Sequence, residues 1–301
     1  MSAGGSRTVG ECLIVDAMTE GFCAWVASAW PDHDWTEARM HHGAFHQVAV
    51  SGDVVARVAS GKDHKQRVGC EALALQQVAA MDLPFDMPRL LSGPITIASA
   101  SGILTTRVFG QQIEATLWSA VCDAFRTAID ALHQVPARRG AGLPSPRTWC
   151  GGRTWPDLVE GRLASHLPID AARRAVVVVS DVLKAEQASP PTLVHGDFGL
   201  HNLFWESGRV SGVIDFDHAC WGDPAIDIAP LIGMFGAGQV GELVDRVVVQ
   251  RAMMHRASLP LQVAAAAELS GDSKLRDHAL HNFSQRLEEG TLHDPYGISL
   301  P

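Results

Sequence analysis

Two short apolar runs, Phe45–Val50 and Val54–Val58, flank Ser51-Gly52-Asp53. Apolar runs rich in valine, joined through a glycine, predict an antiparallel hairpin. The period then changes. Val68, Leu73, Leu75, Val78 and Met81 recur at helical spacing, and the prolines of "LPFDMPRLLSGP" end that helix. "ITIASASGILTTRVFG" predicts two more strands around a turn at Ser99–Gly102. Beyond Gln111 the pattern is mostly helical. "EATLWSAVCDAFRTAIDALHQVP" is amphipathic and stops at Pro136. A Gly-, Pro- and Arg-rich surface loop over 137–156 follows, then helices over 171–186, 239–257 and 261–270, the last stopped by Gly271. No repeat is visible. The expectation is an α+β chain with a small β-rich lobe, 1–108, and a larger helical lobe, 109–301, joined near 107–111.

One place breaks this pattern chemically. "LVHGDFGLHNLFW" interrupts an apolar stretch with His195-Gly196-Asp197 and again with His201-Asn202. Thirteen residues after Asn202, "VSGVIDFDHACWGDPAIDIA" ends a second strand-like run in Asp215, Asp217, Asp223 and Asp227. Buried carboxylates and carboxamides are costly unless satisfied. Two short strands whose polar ends converge would satisfy them around a ligand. Asp and Asn oxygens are hard donors suited to Mg²⁺, and a further Asp can take a proton from an attacking hydroxyl. That is the equipment of phosphoryl transfer.

Composition narrows the partners. The 301 residues are 47% hydrophobic and 19% charged, enough for an ample core. A formal charge of −9 argues against nucleic acid and favours cationic ligands. Six scattered cysteines without a C-x-x-C pair read as reduced thiols. "CLIV" is too short for a signal-peptide core, and no run reaches membrane-spanning length. The expected setting is the cytoplasm, without membrane or nucleic acid, as a monomer or weak dimer.

His195-Gly196-Asp197 with Asn202, then Ile214-Asp215-Phe216 and Gly222-Asp223-Pro224-x-x-Asp227, resemble the antibiotic phosphotransferases. These are the aminoglycoside, macrolide and tuberactinomycin kinases, which share the bilobal protein-kinase-like fold. The resemblance implies Asp197 as catalytic base, Asn202 and Asp215 as Mg²⁺ ligands, and His195 and Asp227 as braces of the loop. It also implies a cation on the third strand, paired with a glutamate on the next helix. The third strand offers Arg57, where lysine is usual, and the helix offers Glu71; Lys62 and Lys65 are the fallback cations. The phosphate-covering loop falls at "MHHGAFHQV", with Gly43 its one glycine, and the base is expected against the backbone of Thr106, Arg107 and Val108.

The implied function moves the γ-phosphoryl of ATP or GTP to a hydroxyl of an aminoglycoside, a basic cyclic peptide or a macrolide. The candidate acceptor contacts are Asp217 and Glu268, with Asp272, Asp294, Glu288 and Glu289 as further carboxylates for a polycation. For a macrolide, Trp118, Trp149, Trp155, Trp205 and Trp221 offer apolar walls. The alternatives are a metabolic small-molecule kinase and a nucleotide-binding pseudokinase, the latter supported by Arg57 alone. Other signals are set aside. Gly236, Gly238 and Gly241 match G-x-G-x-x-G without the acidic partner of a dinucleotide site, and read as a loop leading into a helix. His41, His42 and His46 read as a polar loop, and His278 and His281 as a solvated helix face.

Overall fold

The computed structural model describes residues 20–43, 45–113, 116–136 and 142–297. A helix over residues 20–29 (α1) comes first. Strands β1 (Arg39–His42), β2 (His46–Ser51) and β3 (Val54–Ser60), helix α2 (His64–Val78), and strands β4 (Leu90–Ile97) and β5 (Ala100–Thr106) follow. The strands form one antiparallel sheet in the order β1-β2-β3-β5-β4.

Alternation along β3 assigns each of its faces. Ala56 and Val58 pack with Phe22, Val26, Trp30 and Trp35. Ala59 joins Val68 and Ala72 of α2 in the main core. Arg57 shares the Ala59 side by the same period of two, which aims it at α2. The predicted hairpin forms with a tighter loop: Ser51 pairs with Val54, leaving Gly52-Asp53 as the turn, with Gly52 at φ 53°. The turn expected at Ser99–Gly102 sits earlier, between Ile97 and Ala100. Gly102 lies inside β5, where a Cβ would come 2.9 Å from the Arg57 carbonyl oxygen; the glycine serves close packing, not a turn.

The second lobe holds α3 (Trp118–His133), α4 (Trp155–Leu158), α5 (Ile169–Gln187), α6 (Ala225–Val240), α7 (Arg246–Ser270) and α8 (Ser273–Glu288). Between α5 and α6 lie two ribbons: β6 (Thr192–Val194) with β9 (Cys220–Gly222), and β7 (Leu203–Glu206) with β8 (Arg209–Val213). Two predicted helices prove to be one. α7 runs through Pro260, with Ala257, Leu261, Ala264 and Ala265 fully buried around it, and this packing outweighs the missing hydrogen bond. The G-x-G-x-x-G stretch belongs to the end of α6, broken by Gly236 at φ 80°, rather than to a loop. The surface loop predicted over 137–156 is also corrected in its described part. It forms short helical turns, and Cys150 and Trp155 are fully buried against α5 and α7. His278 and His281 are exposed on α8, as expected. Among the described residues no helix is long and apolar enough to cross a membrane.

Candidate active site

After β6 the chain must turn sharply, and Gly196 does so at φ 93°. A Cβ there would lie 2.6 Å from the His218 carbonyl oxygen, so only glycine fits. The turn is fixed by Asp227, fully buried in the first turn of α6. Its carboxylate accepts the N–H groups of His195 (3.0 Å) and Gly196 (2.8 Å) and contacts His133 Nε2 at 3.1 Å. The buried His195 donates from Nε2 to the Ile214 carbonyl (2.8 Å), while its Nδ1 accepts the Asp197 N–H (3.2 Å). These two partners select the tautomer. Four residues before Asp227, on the approach to α6, the Asp223 side chain is fully buried on Arg251 (2.9 Å) and His255 (3.3 Å) of α7.

Asp197 itself stays 41% exposed. Its Oδ2 receives Asn202 Nδ2 and His201 Nε2, each at 3.1 Å, and Asn202 also donates to the Asp197 carbonyl at 2.9 Å. Burial pushes the Asp197 carboxyl up, but the His201 hydrogen bond and charge outweigh it and hold the pKa below its ordinary value. The same hydrogen bond raises His201.

Asp215 follows β8 in the left-handed region, at φ 70°. Arg57 reaches it across the lobes, Nη2 to Oδ1 at 2.6 Å, while Arg57 Nε is ion-paired with Glu71 of α2. The other Glu71 oxygen lies 3.3 Å from His46 Nε2. Burial works against the charge on Asp215, yet Arg57 holds its carboxyl well below the usual range. Asp217 is the opposite case: burial and the neighbouring Asp215 charge hold its carboxyl well above that range.

A cavity of about 410 Å³ opens between the lobes beside this ion pair. Arg57, Glu71, Thr105, Thr106, Arg107, Val108 and Asp215 are among the residues lining it. Its size falls in the range of small-molecule sites. The Thr106 and Arg107 N–H groups already donate to Arg89 and Asp53 carbonyls, whereas the Val108 N–H has no backbone acceptor among the described residues.

Other expected residues lie elsewhere. Gly43 is in the β1–β2 turn and lines a separate cavity with His46 and Ser270. Glu268 bonds Arg276 at 3.0 Å and lines none of the described cavities; Asp272 caps α8; Asp294 is fully buried, accepting the Ala237 N–H. Of the five tryptophans named above as apolar walls, Trp149 faces a cavity, Trp118, Trp155 and Trp205 are core, and Trp221 is half-buried against that core. The residues missed from sequence are His46, His201 and His218. Only His201 had a local signal, its i+4 spacing from Asp197.

Comparison with known proteins adds four findings. Residues 38–260 match the family described as "Phosphotransferase enzyme family". The chain is 25% identical over 259 residues to viomycin phosphotransferase of Streptomyces vinaceus, covering 78% of this chain and 88% of that protein. An aminoglycoside phosphotransferase solved with GDP and kanamycin superposes with a TM-score of 0.70 at 15% identity, over 89% of this chain and 99% of that one. A macrolide 2′-phosphotransferase from Brachybacterium faecium gives 0.60 at 18% identity, over 87% and 97%. The bilobal protein-kinase-like architecture expected from the motifs is the fold of this chain.

Proposed function

Because the chain belongs to the phosphotransferase enzyme family, we propose that it moves the γ-phosphoryl group of ATP or GTP to a hydroxyl of a basic cyclic peptide antibiotic of the viomycin type. The observation that carries this reading is the joining of Asp197, Asn202 and Asp215 to Arg57 and Glu71 across one interlobe cavity. The acceptor class is supported by the likeness to viomycin phosphotransferase and by the net charge of −9, which attracts cations.

In this reading residues 1–108 form the nucleotide-holding lobe and 109–301 the catalytic one. Arg57, anchored by Glu71, contacts phosphate oxygens, and the base lies against Thr105 to Val108. The Val108 N–H is its donor, since those of Thr106 and Arg107 are engaged. Asp197 receives the acceptor hydroxyl. Its low proton affinity suits the loose transition state of phosphoryl transfer, where orienting the nucleophile matters more than early deprotonation. His195 and Asp227 hold the loop so that Asp197 meets the acceptor without rearranging.

The donor set fits Mg²⁺. Asn202 turns its amide nitrogen to Asp197, leaving its oxygen, and Asp215 adds a carboxylate: two hard oxygens of the kind Mg²⁺ combines with phosphates. Bound there, the ion supplies charge neutralisation at the β- and γ-phosphates. The assembled cluster weighs against a nucleotide-binding protein without turnover. The test is mass spectrometry of viomycin, kanamycin and a macrolide after incubation with enzyme, Mg²⁺ and each of ATP and GTP. A gain of one phosphoryl group on viomycin is expected, and a gain confined to another class overturns the acceptor assignment.

A further inference from the structure

Asp215 and Phe216 line the cavity that holds Arg57, whereas the next two residues, Asp217 and His218, line a second cavity of about 260 Å³. A small adjoining chamber shares Trp149 and His218 with it and extends to Gly196, the residue before Asp197. Taken together, the two linings reach to within one residue of Asp197, which itself lines none of the described cavities.

Its wall is built with care. The Trp149 indole stacks on the His218 imidazole, centroids 4.3 Å apart and planes 16° from parallel. The turn that delivers Trp149 passes through Arg147, a non-glycine residue in the left-handed region at φ 60°. Such conformations persist where the surroundings over-determine them. Here both terminal nitrogens of Arg147 bond Glu186 of α5, its guanidinium lies over the Trp155 ring, and its carbonyl accepts the N–H groups of Cys150 and Gly152. A strained turn clamped this firmly fixes where Trp149 stands.

The charges around it are mixed. Asp63 bonds Arg67 at 2.5 Å, and Lys62 and the Asp217 carboxyl complete the ionisable lining. Two cations and two carboxyl groups beside an aromatic platform suit a flat group that both donates and accepts hydrogen bonds. An amide plane of a basic peptide has that form, whereas a saturated amino-sugar ring meets an indole only through its C–H groups.

We propose that this second cavity is the acceptor subsite and that Trp149 is its specificity-determining residue, stacking on a planar amide face of the cyclic peptide. The assignment rests on the acceptor class inferred above. The experiment measures steady-state phosphorylation of viomycin by the wild type, Trp149→Ala and Trp149→Phe. Loss of the indole is expected to raise the viomycin KM about tenfold, with kcat moving less than about threefold and Trp149→Phe staying within about threefold of wild type.

A second arm needs no variant. Cys70 lines the same cavity and is partly accessible, as are Cys23 and Cys122 away from it. Viomycin should slow labelling of Cys70 by a thiol reagent, read peptide by peptide, without slowing the other two. An unchanged KM in a folded Trp149→Ala, or Cys70 labelling indifferent to viomycin, overturns the subsite while leaving the phosphotransferase reading intact. Should Trp149→Ala not fold, the phenylalanine variant and the labelling decide. Wild-type enzyme that phosphorylates kanamycin and not viomycin overturns the acceptor class itself, and the peptide-stacking assignment with it.

Discussion

Arg57 divides one guanidinium between two carboxylates, Nε on Glu71 and Nη2 on Asp215. A lysine ammonium is a compact point charge and does not hold that fork. Arg57→Lys is therefore expected to raise the nucleotide KM and lower kcat together, read from ATP and GTP titrations. Asp197→Asn keeps the hydrogen-bonding shape but removes the proton acceptor, and should cost about 10²–10⁴ in kcat with nucleotide binding retained. The Asp197, Asn202 and Asp215 set is legible in the sequence because the three residues lie within one short stretch, each interrupting an apolar run. His46 and His218 were not legible. Their partners, Glu71 and Trp149, come from distant elements, and a lone histidine in a sequence looks the same whether it meets solvent or a buried glutamate.

Whole elements show the same division between local and tertiary causes. The β2–β3 hairpin and α2 follow from local period, whereas the Arg57–Glu71 ion pair joining them was implied by the family resemblance and not by the period. The turns after Gly142 were not, because their glycines and prolines have the composition of a loop while Cys150 and Trp155 are buried by α5 and α7. Pro260 misled for a related reason: local chemistry says stop, and the packing of α7 overrules it. The β6–α6 connection yields a direct prediction. Gly196→Ala places a Cβ 2.6 Å from both the His218 Cβ and carbonyl oxygen, in a conformation hostile to side chains. It should lower stability by about 1–3 kcal/mol in denaturant melts and reduce kcat by displacing the loop.

At the scale of the molecule, acid stability has an identifiable source. Burial alone would raise the Asp223 carboxyl, but hydrogen bonds from His255 and Arg251 outweigh it and hold the pKa at about 2, below its ordinary 3.8. A folded-state pKa lowered in this way contributes stability that is complete above the unfolded value and fades as pH falls from about 4 toward 2. Chemical denaturation across that window should show the loss, and Asp223→Ala should remove about 3 kcal/mol at neutral pH by stranding Arg251. Nucleotide with Mg²⁺ should stabilise both lobes at once, raising Tm by roughly 5 °C at a hundredfold excess over Kd. The turn Phe216–His218 has a further consequence for inhibition. Because residues 215 and 216 face one cavity and 217 and 218 the other, two separate molecules bound in them are kept apart by a single turn of chain. A short tether joining a nucleoside to a peptide fragment would make the second binding event intramolecular, and affinity gains of about 10²–10⁴ become accessible from two individually weak ligands.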